Sequence, residues 1–104
     1  MDYELRIIPE CPNSALALSL FHHALAAENL DGDIRVVELD SEEQAEMLHF
    51  HGSPSFIVDG RDLFPSTASP ALTCRVYEGV DGLAGLPQLV DVQAALRLGP
   101  SSRN

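Results

Sequence analysis

The first 39 residues alternate between strand-like and helix-like segments, and this order is the strongest constraint on the fold. Residues 4–8 (Glu-Leu-Arg-Ile-Ile) are typical of a β-strand, and so are residues 34–39 (Ile-Arg-Val-Val-Glu-Leu). Between them, residues 12–29 carry apolar side chains at helical spacing, in a stripe wide enough to predict deep burial against a sheet. A strand, a helix and a second strand in this order predict a right-handed crossover between two parallel strands.

The second half of the chain predicts a second helix, a hairpin and a final helix. Ser41 and Gln44 have the spacing of a capping box, which predicts a helix that starts after Ser41 and ends at Gly52. Asp59-Gly60 lies between two strand-like runs, 55–58 and 61–64, and is a strong signal for a tight antiparallel hairpin. Residues 86–98 are typical of an amphipathic helix.

Between the hairpin and the final helix, residues 65–85 are rich in Gly, Pro, Ser and Thr. We interpret them as a long loop around one short strand, Cys74-Arg75-Val76-Tyr77. Loops of this length in small domains are often functional. Residues 1–98 are therefore expected to form a single domain, and residues 99–104 a disordered C-terminal tail.

These elements predict an α/β fold with the order βαβαββα. The central mixed sheet has about four strands, with helices on both faces. Strand 34–39 is expected at one edge beside strand 4–8. Strand 55–58 is expected on the other side of 4–8, with strand 61–64 beyond it.

The charge of the chain excludes several kinds of partner. Sixteen acidic residues against six arginines give a formal net charge of −10. Such a surface repels phosphate backbones and anionic lipids, so we expect no nucleic acid and no membrane partner. No apolar run approaches the roughly 20 residues that span a bilayer, and the acidic start, Met1-Asp2-Tyr3-Glu4, does not have the pattern of a signal peptide. We expect a cytoplasmic monomer or weak dimer without a cofactor, whose two cysteines are free or catalytic rather than a structural disulfide.

Cys11 lies at the junction between the first strand and the first helix. A helix N-terminus stabilises a thiolate through its dipole and free N–H groups, and the thiolate is the nucleophilic form of cysteine. Pro12 suits the first turn of a helix, and Ser14, one turn later, has a hydroxyl able to donate a hydrogen bond to the sulfur. The alternative interpretation is a small buried residue at a proline-fixed helix start.

Two motifs resemble the thioredoxin-like superfamily. Residues 11–14 (Cys-Pro-Asn-Ser) stand where that superfamily has its Cys-x-x-Cys or Cys-x-x-Ser motif, at the end of the first strand. Residues 52–55 (Gly-Ser-Pro-Ser), an apolar strand and Asp59-Gly60 resemble its cis-proline segment and hairpin. The chain also resembles a group of short thioredoxin family proteins with a Cys-Pro-x-Ser motif, a Gly-Ser-Pro segment and a later Cys-Arg-x-Tyr. The likeness covers residues 4–64 and, more loosely, 86–98.

The resemblance implies a thiol–disulfide oxidoreductase that acts through Cys11 on a protein or small-molecule thiol or disulfide. Ser14 occupies the place of the second cysteine and cannot form a disulfide, so a resolving role falls to Cys74, if any residue has it. The other interpretation of Cys74 is an inward-facing residue of a short strand. The resemblance also implies that Pro54 is cis and faces Cys11, and that the backbone of Ser53 pairs with an extended substrate near Pro12. A trans proline that opens a strand is the alternative.

Two other functions stay open. Cys11 and Cys74 have the soft thiolate ligands that a thiophilic metal ion prefers, which would make the chain a metal-binding protein. Against a metal site, the four histidines (His22, His23, His49 and His51) include no pair at the i, i+4 spacing of a helical zinc site. The third possibility is an inactive thioredoxin-like module that serves as a protein interaction surface.

Overall fold

The computed structural model of the chain describes residues 2–30, 32–64, 69–73, 75, 77–79 and 82–98. Six strands and three helices occur in this part of the chain. In order they are β1 (Tyr3–Ile7), α1 (Ser14–Ala27), β2 (Ile34–Glu38), α2 (Glu42–Leu48), β3 (Ser55–Val58), β4 (Arg61–Asp62), β5 (Tyr77–Gly79), β6 (Gly82–Ala84) and α3 (Leu89–Leu98). None of the helices in these ranges is long and apolar enough to cross a membrane.

The main sheet has four strands in the order β2-β1-β3-β4. β1 and β2 are parallel, whereas β3 is antiparallel both to β1 and to β4. At the centre of the sheet, Leu5 lies opposite Val36 on one side and Phe56 on the other. The expected strand order and directions are confirmed, and the chain has a mixed α/β architecture.

One face of the sheet carries the larger apolar core. Alternate residues of β1 point to this face because successive side chains of a strand point to opposite sides. They pack against α1 and α3, and Phe21 of α1 is fully buried between Tyr3 and Phe56 with its ring edge-on to both. The buried members of this core in β1, α1, β3 and α3 are Tyr3, Leu5, Ile7, Ala17, Phe21, Ala24, Leu25, Phe56, Val58, Val92 and Leu96.

The opposite face is covered in part by α2. Ala45 of α2 is buried with Leu39 and Phe50 in a second, smaller apolar cluster, to which Val37 of β2 adds a partly buried side chain. Arg6 lies opposite Val37 on this face and donates a hydrogen bond to the carbonyl oxygen of Leu48, the last residue of α2.

Glu4 is the second charged residue that β1 buries on this face. It accepts hydrogen bonds from the guanidinium groups of Arg6 and Arg35. Burial raises the pKa of Glu4, but the hydrogen bonds and charges of both arginines outweigh burial and hold it below its usual value. The carboxylate of Glu4 is therefore ionised and paired inside the sheet at neutral pH.

Several elements are shorter than the sequence predicted. α1 begins at Ser14 rather than at 12, since Asn13 is its N-cap residue. α2 has the expected cap, in which Ser41 Oγ accepts the Gln44 N–H, but it ends at Leu48 and not at Gly52. The reason is that His49 has a left-handed backbone (φ 53°), which ends the helix.

The end of the hairpin also differs from the prediction. β4 covers only residues 61–62. The Leu63 N–H still donates to the Phe56 carbonyl oxygen of β3, and the Asp62 carboxylate accepts the N–H of Phe64 in the turn that follows. α3 begins at Leu89 rather than at residue 86.

The described part of the region 65–85 has two strands where the sequence predicted one. They form the β5–β6 hairpin, in which Tyr77 lies opposite Ala84. The predicted strand 74–77 overlaps β5 at Tyr77. Arg75 is described and lies outside β5, and Cys74 and Val76 lie outside the described residues. The predicted tail, residues 99–104, also lies outside them.

Candidate functional site

Cys11 lies in a tight turn that joins β1 to α1. Its N–H donates to the carbonyl oxygen of Ile8 at 3.3 Å, and its own carbonyl oxygen accepts the N–H of Ser14 at 3.3 Å. Glu10 before it has a positive φ of 59°, which lets the chain reverse direction. Cys11 therefore precedes the N-cap residue of α1, Asn13, whose side chain makes no capping hydrogen bond.

The side chain of Cys11 is buried. Only 8% of the residue is exposed, its thiol is free, and it belongs to the larger apolar core together with Ile7 and Tyr77. Ser14 is half-buried, yet Cys11 and Ser14, both described, share no side-chain hydrogen bond. The sequence suggested that the Ser14 hydroxyl donates to the sulfur, and this contact does not form in the structure.

The Ser53–Pro54 segment lies beside the Cys11 turn. Its peptide bond is cis, and both residues are buried. The hydroxyl of Ser53 accepts the N–H of Ile8 at 3.2 Å, while the carbonyl oxygen of the same Ile8 accepts the N–H of Cys11. Ile8, the first residue after β1, thus connects the two segments through one hydrogen bond on each side.

The backbone of Ser53 is paired with another part of the same chain. Its N–H donates to the carbonyl oxygen of Thr73 at 2.8 Å, and its carbonyl oxygen accepts the N–H of Arg75 at 2.9 Å. A third bond, from the N–H of Ala71 to the carbonyl oxygen of Phe50, continues this pairing. The N–H and the carbonyl oxygen of Ser53, which the resemblance assigns to an extended substrate, are therefore hydrogen-bonded to residues of the same chain in this structure.

Arg75 is the principal residue of the site to which the sequence assigned no role, although it belongs to the Cys-Arg-x-Tyr motif. Its guanidinium forms an ion pair with Asp62 at 2.7 Å, donates to the hydroxyl of Ser55 at 3.3 Å and also bonds the carbonyl oxygen of Phe64. It also lies 4.8 Å from the centre of the Tyr77 ring, within the range of a cation–π contact. The side chains of Arg75 and Asp62 are 9% and 14% exposed, so most of this pair is removed from water.

Tyr77 connects the β5–β6 hairpin to the proline segment. Its hydroxyl donates to the carbonyl oxygen of Pro54 at 2.6 Å. Burial raises the pKa of Tyr77 well above its ordinary value, an effect that the charge of Arg75 opposes and that of Asp62 increases. Tyr77 is therefore a neutral hydrogen-bond donor at any physiological pH.

A second contact places the chain after β6 against the Cys11 turn. The side-chain amide of Asn13 lies so close to Gly85 that a Cβ atom at position 85 would overlap it. Leu86 packs, partly buried, on the same core that contains Cys11. Tyr77 thus contacts the proline segment, and Gly85 contacts Asn13, two residues after Cys11.

Pro12 and Cys74 are the other predicted residues of the site. Pro12 is exposed to solvent, and Cys74 lies outside the described residues, so its pairing with Cys11 stays a prediction. The part of the chain that the structure describes has no group of three or more His, Cys, Asp or Glu side chains placed to hold a metal ion. His22 and His23 are exposed, whereas the Nδ1 atom of His51 is buried and has no hydrogen-bond partner in the described ranges.

Comparison of the sequence with protein-family models and with curated proteins, and of the fold with solved structures, found no match.

Proposed function

We propose that the chain is a thioredoxin-like protein that carries out thiol–disulfide exchange through Cys11 in a reducing compartment such as the cytoplasm. The observation that carries the proposal is the connection through Ile8. It holds a free cysteine, at the start of a helix, next to the Ser53–Pro54 segment. The helix start supports the reaction because no side chain caps its first turn, whose N–H groups favour a negative charge nearby.

The proposed reaction needs one thiolate and two exchange steps. The Cys11 thiolate attacks one sulfur of a substrate disulfide, R–S–S–R′, forming a Cys11–S–S–R mixed disulfide and releasing R′–S⁻, which takes a proton from water. A second thiolate, from the substrate or a low-molecular-weight thiol, then attacks the R sulfur. This step releases the Cys11 thiolate and leaves R joined to the second thiol as a disulfide. Ser14 cannot act as a second thiol in either step because it has no sulfur.

The test measures whether Cys11 reacts in the folded protein. A Cys74→Ser variant leaves Cys11 as the only thiol, and its alkylation by iodoacetamide is followed by mass spectrometry under native conditions. The Cys11→Ser/Cys74→Ser variant gives the background. We expect alkylation, and mixed-disulfide formation with a small disulfide, to be much faster than global unfolding of the same variant. Alkylation only at the rate of global unfolding would make Cys11 a packing residue.

A second candidate function is a thioredoxin-like interaction module without thiol chemistry. The observation that favours it is the 8% exposure of Cys11, together with the occupied backbone of Ser53. If this function is correct, the Cys11→Ala variant remains folded. In the native protein, Cys11 is then unreactive. The alkylation experiment therefore distinguishes the two functions.

A further inference from the structure

Three backbone hydrogen bonds hold residues Ala71, Thr73 and Arg75, which we call the strap, along the segment before Pro54. The strap runs parallel to residues 50–53, because the Ser53 N–H bonds residue 73 and the Ser53 carbonyl bonds residue 75. The pairing is thus that of an added β-strand, supplied by the chain itself.

The strap is anchored at Arg75 by several interactions. The buried ion pair to Asp62, the bond to the Phe64 carbonyl and the contact with the Tyr77 ring all act on the same guanidinium. The backbone of the strap also lies directly on Gly52. A Cβ atom at Gly52 would be 2.8 Å from the Cβ of Arg75, and Gly52 has a φ of +121° that other residues rarely adopt.

We propose that the strap is an intramolecular occupant of the peptide-docking edge at Ser53, which an extended polypeptide disulfide must displace before it reaches Cys11. The inference rests on the proposed function and adds a regulatory step to it. An incoming strand needs the single N–H donor of Ser53, and Thr73 already holds that donor. A small disulfide does not pair with backbone, so it needs no displacement of the strap.

The experiment compares two disulfides that release the same coloured thiolate. One is 5,5′-dithiobis(2-nitrobenzoate). The other is the mixed disulfide of its nitrothiobenzoate half with a short peptide rich in valine and threonine that has one central cysteine. Each disulfide is mixed with the Cys74→Ser protein, with and without Arg75→Met, and its reaction with Cys11 is followed. The matched control is Arg97→Met, which removes an arginine whose guanidinium pairs with Glu28 and is 58% exposed.

Arg75→Met is expected to accelerate the peptide reaction by about tenfold or more. Removing one partner of the buried ion pair destabilises the strap by more free energy than a tenfold change in rate corresponds to. The rate of the small disulfide should change by less than about twofold. Arg97→Met should change neither rate, since the side chain of Arg97 is largely exposed and bonds Glu28 rather than the strap. If Arg75→Met accelerates the reactions of both disulfides equally, or accelerates neither, the proposal that the strap blocks the docking edge is wrong.

Amide hydrogen exchange of the Cys74→Ser protein itself gives a readout that needs no Arg75 variant. The Ser53 amide is expected to exchange through a local opening, at a lower free energy than the Leu5 amide in the centre of the sheet. If Ser53 exchanges only by global unfolding, the strap does not leave the folded protein and the proposal is wrong. If Ser53 opens locally while Cys11 reacts with neither disulfide, the proposed function is contradicted and the strap is supported.

Discussion

The buried ion pair between Glu4 and Arg6 on β1 gives the sharpest stability prediction. Both side chains are 9% exposed, and Arg6 has the Leu48 carbonyl, at 3.1 Å, as a second partner. Glu4→Leu removes the carboxylate and leaves the Arg6 guanidinium buried with that carbonyl alone. We expect a loss of about 3 kcal/mol in the free energy of unfolding, the lower end of the range for a broken buried pair, because the carbonyl partner is kept.

The double variant Glu4→Leu/Arg6→Met removes both charges and replaces them with apolar side chains of similar size. It is expected to lie within about 1 kcal/mol of the wild type, because apolar replacement of a whole buried pair is often neutral or stabilising. The single variant therefore loses more stability than the double variant, although it changes fewer residues.

Urea unfolding followed by circular dichroism measures both effects. With a slope of about 1–3 kcal/mol per molar urea, the single variant should unfold at a midpoint about 1–3 M lower. Arg35→Met is the matched control, because Arg35 also bonds Glu4 but is 59% exposed, and its loss should shift the midpoint much less. A single variant no less stable than Arg35→Met, or a double variant as unstable as the single one, would refute this reasoning.

Three further predictions concern pH and single hydrogen bonds. Glu4 has a pKa below its usual value of 4.5 in the folded protein, so the unfolded chain binds more protons in acid. The stability of the wild type should therefore fall as the pH drops below about 4.5, and that of Glu4→Leu/Arg6→Met should fall less. Urea titrations at several pH values measure both. Tyr77→Phe leaves the Pro54 carbonyl without its hydroxyl donor and should cost about 1–3 kcal/mol in urea unfolding; no loss would mean that water replaces the hydroxyl. Ser41→Ala removes the cap of α2 and should cost about 1 kcal/mol, with Ser41→Asp as the variant that keeps the cap.

The sheet could be predicted from the sequence because its signals are local. The strand–helix–strand order fixed the parallel pair, and Asp59-Gly60 fixed the hairpin. Both turn residues have positive φ values, 51° and 81°, which is the conformation that this dipeptide adopts most readily. The capping box at Ser41 is equally local, and its side-chain bond to the Gln44 N–H forms as expected.

The strap and its anchor could not be predicted in the same way. They depend on pairing between segments about 20 residues apart, and of the strap residues only Arg75 fell within the short strand predicted at 74–77. Arg75 appeared only within the predicted strand 74–77 and the Cys-Arg-x-Tyr motif, because a single arginine in sequence gives no sign of burial. The available signal was the glycine at position 52, whose missing side chain leaves room for the strap.

The surroundings of Cys11 limit how a substrate disulfide can reach its sulfur. Ile8 joins the Cys11 turn to Ser53, Ser53 is bonded to the strap, and the strap is anchored by a buried ion pair. A substrate sulfur must approach Cys11 nearly along the axis of the disulfide that it breaks, and an 8% exposed residue leaves little room for that approach. If Cys11 exchanges with a polypeptide disulfide, the rate of that exchange is therefore set by how often the strap leaves Ser53.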